Sequence, residues 1–98
     1  MPDKRWKAQE RRIGRLLGLK RVGPTGVHGP DLVGEHLLVQ VKDRKEWPLW
    51  LREARYSVAD VPGKERYGIV VLTSPLMAVD LVLMDLRDFR ELLKKAGM

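Results

Sequence analysis

The sequence contains no cysteine and no asparagine. Without cysteine there is neither a disulfide framework nor a thiolate zinc site. No apolar run approaches the roughly 18–20 residues that cross a membrane. The opening stretch MPDKRWKAQERR is charged throughout and lacks the apolar segment of a secretory signal. Together these absences predict a soluble, cytoplasmic protein with no membrane partner. At 98 residues the chain is expected to form one domain, 1–98, around a modest core. A core of that size gains from a partner subunit, so a homodimer is expected.

What is present is charge, and it is unevenly placed. Residues 1–22 carry eight bases (Lys4, Arg5, Lys7, Arg11, Arg12, Arg15, Lys20 and Arg21) against two acids (Asp3 and Glu10). The remaining residues balance, so the net charge of +6 belongs wholly to this first segment. A basic stripe of this kind is the footprint of a polyanion-binding surface. Its ordinary alternative is a solvated helix face that keeps the protein soluble.

Periodicity and punctuation predict the order α-β-β-α-β-β-α. Asp3 is a candidate N-cap for a helix running to about Leu17, with Gly18 ending it. Residues 22–30, VGPTGVHGP, read as a loop. Asp31 to Val33, a turn at Gly34-Glu35, and His36 to Lys42 predict a hairpin. A helix is expected from Pro48 or Leu49 to about Ala59, and Val61-Pro62-Gly63-Lys64 breaks the chain again. Tyr67 to Leu72 is a near-continuous apolar run, the pattern of a strand buried on both faces. Val79 to Met84 is a further strand after a turn at Ser74-Pro75. Asp85 can cap a final helix with Leu86, Phe89, Leu92 and Leu93 on one face, ended by Gly97. This order predicts an α/β domain with a central mixed β-sheet flanked by helices.

Strand geometry supplies the first chemical clue. Side chains alternate along His36 to Lys42, so Leu37, Val39 and Val41 share a core face. Gln40 and Lys42 project together from the other. A strand running out into solvent would look the same. Asp31 adds to the pattern, because a hairpin about Gly34-Glu35 brings it beside Gln40 or its neighbours. A carboxylate, an amide oxygen and an ammonium then converge at one sheet end. That set suits phosphodiester hydrolysis: the oxygens hold a hard divalent cation, the cation polarises the phosphoryl group, and Lys42 stabilises the developing negative charge or orients a water. Glu10 is a third clue. Trp6, Glu10, Ile13 and Leu17 share one helix face, which puts a carboxylate in an apolar stripe where it needs a partner. That partner is either a core-edge arginine or the metal and its waters.

These residues resemble a known family. Pro30-Asp31, eight further residues and Gln40-Val41-Lys42 look like the signature of the PD-(D/E)xK nuclease superfamily, with the variant Q-x-K. The helix, hairpin, helix and strand order is similar to that superfamily's restriction-endonuclease-like core. Glu10 is similarly placed to the first-helix glutamate of archaeal-type Holliday junction resolvases. The stretch from Trp6 through Trp50, together with GIVVL and LVLMDLRDF, resembles small phage and actinobacterial resolvase-like nucleases, so the resemblance spans most of the chain. It implies a Mg²⁺-dependent endonuclease, with Mn²⁺ able to substitute, acting on branched or structured DNA. It also implies Asp31, Gln40, Lys42 and Glu10 as the catalytic set, with the backbone carbonyl of Val41 as a further metal ligand. Gln40 departs from the Glu or Asp of most members and brings no charge, although the Mrr-type restriction nucleases are similar in carrying Q-x-K. A DNA-binding module that keeps the fold without cleavage is the alternative.

Outside that set, Arg5, Lys7, Arg11, Arg12, Arg15, Arg44 and Lys45 are candidates for phosphate contact. Thr25 joins them because resolvase-like relatives place a hydroxyl residue in that loop. His28 and His36 are expected at the surface. Trp47 and Trp50 bracket Pro48 and are candidates for stacking on exposed bases, with packing or a dimer contact expected for at least one.

Overall fold

The computed structural model describes residues 5–22, 29–59 and 66–98. The expected N-cap Asp3, the loop candidates Thr25 and His28, and the break at residues 61–64 lie outside them. The chain divides into two compact units, Met1–Lys45 and Glu46–Met98.

The first unit is one helix on a small sheet. Helix α1 spans Arg5–Leu17. It stops where Gly18 takes φ 69°, a left-handed conformation that glycine adopts without a Cβ penalty. The chain turns directly into β1 (Lys20–Arg21), a strand absent from the expected order. Two polar, exposed residues carry no alternating apolar signal, so only the pairing reveals it. β2 (Leu32–Val33) and β3 (Leu38–Val39) form the expected hairpin, with Leu32 opposite Val39 and Val33 opposite Leu38. The Gly34 N–H closes the turn onto the Leu37 carbonyl at 2.9 Å. β1 pairs antiparallel with the other side of β2, so β2 is the middle strand.

That central position accounts for burial. Leu32 is fully buried, and Gly14 of α1 stands over it. A Cβ on Gly14 would make an ordinary 3.4 Å contact with Leu32 Cδ2 and a tight 3.2 Å one with the Leu19 carbonyl oxygen, so the helix packs closely here. The buried line of α1 is therefore Glu10 and Gly14. Trp6, expected on the apolar stripe, is exposed at its rim, while Ile13 and Leu17 are half-buried.

The second unit pairs two helices with a hairpin. α2 spans Leu49–Val58 with Pro48 at its N-cap, and α3 spans Leu86–Lys95. β4 (Ile69–Leu72) and β5 (Leu81–Met84) pair antiparallel, from Ile69 opposite Met84 to Leu72 opposite Leu81. β4 is not buried on both faces as expected: Val70 and Leu72 are half-buried, whereas Ile69 and Val71 are exposed. With one neighbour and alternating burial, it belongs to a two-stranded ribbon. Gly68, just before β4, lets the chain pass the backbone of Val58 at the end of α2, where a Cβ would collide with the Val58 carbonyl. Arg55 of α2 grips Asp85 with two charge-assisted bonds, Nε to Oδ1 at 2.7 Å and Nη2 to Oδ2 at 2.8 Å. Asp85 does sit at the N-cap of α3, but it makes no side-chain cap bond there. Leu86, Phe89 and Leu93 form the covered face of α3, with Leu92 more exposed.

The architecture is thus mixed α/β, with three helices and two antiparallel sheets among the described residues. The single mixed sheet expected from the element order is replaced, in these residues, by two separate sheets without parallel pairing. No helix among them is long and apolar enough to cross a membrane.

Candidate active site

Asp31 stands just before β2, the central strand of the first unit, and is fixed through both backbone groups. Its N–H donates to the Val39 carbonyl at 2.8 Å, and its carbonyl accepts from the Val22 N–H at 2.9 Å. The ladder thus continues one step past β2 on both sides. With the backbone held, the Asp31 side chain reaches across to the partner segment, where Oδ2 accepts the Val41 N–H at 2.8 Å. The expected meeting of Asp31 with the neighbourhood of Gln40 is realised through this backbone amide.

The segment after β3 keeps the alternation read from the sequence. Leu37, Val39 and Val41 are half-buried, while Leu38, Gln40 and Lys42 are exposed. Strand pairing stops at Val39, earlier than expected, and beyond it the Asp31 carboxylate takes the amide of Val41. Gln40, Val41 and Lys42 line one cavity of about 270 Å³ together with Trp6, Glu10, Asp31, Asp43 and Arg44. All four proposed catalytic residues therefore border the same space.

Glu10 is 6% exposed, and a carboxylate so desolvated requires a counter-charge. Arg21 of β1 provides it: Nε at 3.1 Å and Nη2 at 2.9 Å both donate to Oε2. The core-edge arginine expected from the sequence is thus in place, and Glu10 lines the cavity as well.

No protein-family model matches the chain, and neither a curated protein nor a solved structure does.

Sequence reasoning missed Asp43 as a site residue. It lies in the charged run 43–48, which reads as a solvated loop, yet its side chain is only 16% exposed. Arg5 Nε donates to its Oδ2 at 2.8 Å. Arg21 was also missed as a site residue, since nothing in its local sequence separates it from the other bases of the first segment. Three carboxylates and two cations, Lys42 and Arg44, thus line the cavity, and Arg5 and Arg21 bring two more cations to those carboxylates. Among the described residues no three His, Asp or Glu side chains come together as a metal-holding group. The groups of the lining residues that could hold a cation are oxygens, those of Glu10, Asp31, Asp43 and Gln40, the type a hard cation takes.

The remaining basic candidates are spread over the same unit. Arg12 and Arg15 are exposed on α1, with Arg12 bonded to Gln9 Oε1 at 2.8 Å. Lys7 places its ammonium 5.5 Å from the Trp6 ring centroid. Arg11 is half-buried, and Lys45 is exposed beside the cavity-lining Arg44. His36 is at the surface as expected, 3.9 Å from Glu35. In the second unit, Trp47 and Trp50 are both about half exposed, at 53% and 50%.

Proposed function

We propose that this chain is a metal-dependent endodeoxyribonuclease of the PD-(D/E)xK type with a restriction-endonuclease-like core, acting on branched or structured DNA in the manner of a Holliday junction resolvase. One observation carries the reading: Glu10, Asp31, Gln40 and Lys42 come from a helix and both arms of a hairpin, yet border one cavity. In the same unit lies the basic face of α1 with Arg12 and Arg15 exposed, suited to hold a phosphate backbone.

Asp31, the Gln40 amide oxygen, the Val41 carbonyl and Glu10 would hold Mg²⁺, or Mn²⁺ in its place. When bound, the ion supplies Lewis-acid polarisation of the scissile phosphate. The chain's own groups do the rest. The Val41 N–H keeps the Asp31 carboxylate in one orientation. The Lys42 ammonium stabilises negative charge as it develops on the phosphate. Arg44 and the α1 bases position the strand. A homodimer suits this role, because a two-fold protein matches a two-fold junction. The test is incubation of the protein with end-labelled four-way junctions and linear duplexes in Mg²⁺. Cutting of junctions in preference to duplex is expected; equal indifference to both would sink the reading.

A second reading has its own support. Gln40 brings no charge, and Glu10 is already paired with Arg21, which favours a DNA-binding module of the same fold without cleavage. Gln40→Glu discriminates between them. A nuclease gains metal affinity and cuts faster. A pure binder goes from no activity to some, or stays inert.

A further inference from the structure

We propose that Arg21 and a divalent cation compete for Glu10, so that loading the cation releases the Arg21 guanidinium to contact DNA phosphate. The inference rests on the nuclease reading of the cavity and adds to it a coupling between cation and DNA binding.

Glu10 is almost wholly removed from water, so its charge must be met by a neighbour. Arg21 meets it with two N–H groups on a single oxygen, Oε2. Glu10 also lines the cavity that Asp31, Gln40 and Val41 share. A divalent ion there brings two positive charges close to a guanidinium, in surroundings where water screens poorly. Arg21 leaves Oε1 for the ion, so the two compete through charge: one carboxylate offsets only part of three positive charges, and the repulsion between ion and guanidinium loosens the more exposed of them.

The two competitors differ in what they lose on leaving. Arg21 lies on β1, at the edge of the three-stranded sheet, and its side chain is 36% exposed while that of Glu10 is 8%. The guanidinium can swing to water or to an anion without unpicking the core. Glu10 cannot, because it sits on the buried line of α1. Arg21 therefore keeps the acid neutralised until a better-placed cation arrives, and its planar fork then suits a phosphate. Thermodynamic reciprocity follows: cation binding strengthens DNA binding, and DNA that engages Arg21 strengthens cation binding by the same factor.

The test needs no activity. In the wild-type protein, the Arg21 Nε–H signal is followed by ¹⁵N NMR while Mg²⁺ is titrated, with calorimetry giving the binding midpoint. We expect the Arg21 signal to shift and lose its protection at that midpoint. We also expect Arg21→Gln to tighten Mg²⁺ binding by about three- to tenfold. If Mg²⁺ saturates the protein, moves the Val41 amide and leaves the Arg21 signal unchanged, the competition is overturned while the cation site stands. If calorimetry shows no binding and the Val41 amide does not move, the cation site itself is overturned. The wild-type titration decides even if the variant does not fold.

Discussion

The Asp31 carboxylate accepts the backbone N–H of Val41 at 2.8 Å, across the open end of the hairpin. The bond lies just past Val39, where the strand pairing ends. It ties the orientation of an acidic side chain to the path of the chain that presents Gln40 and Lys42. If this is the structural basis of the site, removing the carboxylate disturbs more than its own charge.

Asp31→Ala is therefore expected to leave the Val41 N–H without its partner. The cost is about 1–2 kcal/mol for a part-buried amide losing a charged acceptor. Faster hydrogen exchange at Val41, with little change at Leu32 in the buried centre, is the expected signature. Uniformly faster exchange throughout the sheet would show instead that Asp31 acts on global stability.

The pair of Glu10 with Arg21 makes an asymmetric prediction. Arg21→Ala leaves a buried carboxylate without a counter-charge, whereas Glu10→Gln leaves an arginine free to reach water. The first should destabilise by about 1–2 kcal/mol, discounted for the partial exposure of Arg21, and the second by less. Denaturant midpoints of the two single variants and the double variant measure the difference. Equal costs would mean that Glu10 is better solvated than its burial implies.

In the second unit, Arg55 holds the Asp85 carboxyl below its ordinary value of 3.8, chiefly through their hydrogen bonds, which outweigh the opposing effect of burial, with lesser help from the charges of Arg55 and Arg87. A depressed folded-state pKa gives stability that is fully present above the unfolded value and is lost as pH falls through the folded one. The acid limb below pH 3.8 is thus where this pair acts. Both side chains are partly exposed, so the contribution is under about 1 kcal/mol. Asp85→Asn should lower the melting temperature slightly at neutral pH and flatten its fall on acidification below that value. An unchanged acid limb would remove the pair from the account.

Much of this was legible in the sequence, and the gaps have physical causes. The helix ends at Gly18 and Gly97, the hairpin about Gly34-Glu35 and the alternation from Leu37 to Lys42 all follow from strong local signals: positive-φ glycines and period-two apolar residues. Asp31 was placed correctly because a hairpin register is set by its turn. β1 was missed because Lys20 and Arg21 are polar and exposed, so their pairing is a tertiary fact. Arg21 as the partner of Glu10 was missed for the same reason, since it depends on that strand. Asp43 was hidden in a charged run whose solvated appearance gives no sign of its contact with Arg5. The apolar run ending at Leu72 suggested a strand buried on both faces, but hydrophobicity alone does not say how many neighbours a strand acquires.

The most direct test of the central claim compares wild-type protein with Lys42→Ala on labelled four-way junctions, in Mg²⁺ and in EDTA. Lys42 is exposed at the cavity rim, so its truncation is expected to leave folding and junction binding nearly intact. The account predicts Mg²⁺-dependent cleavage by the wild type and its loss by about 100-fold or more in the variant, with binding retained. Cleavage that persists undiminished in Lys42→Ala, or no cleavage by the wild type under conditions where it binds the junction, would contradict it.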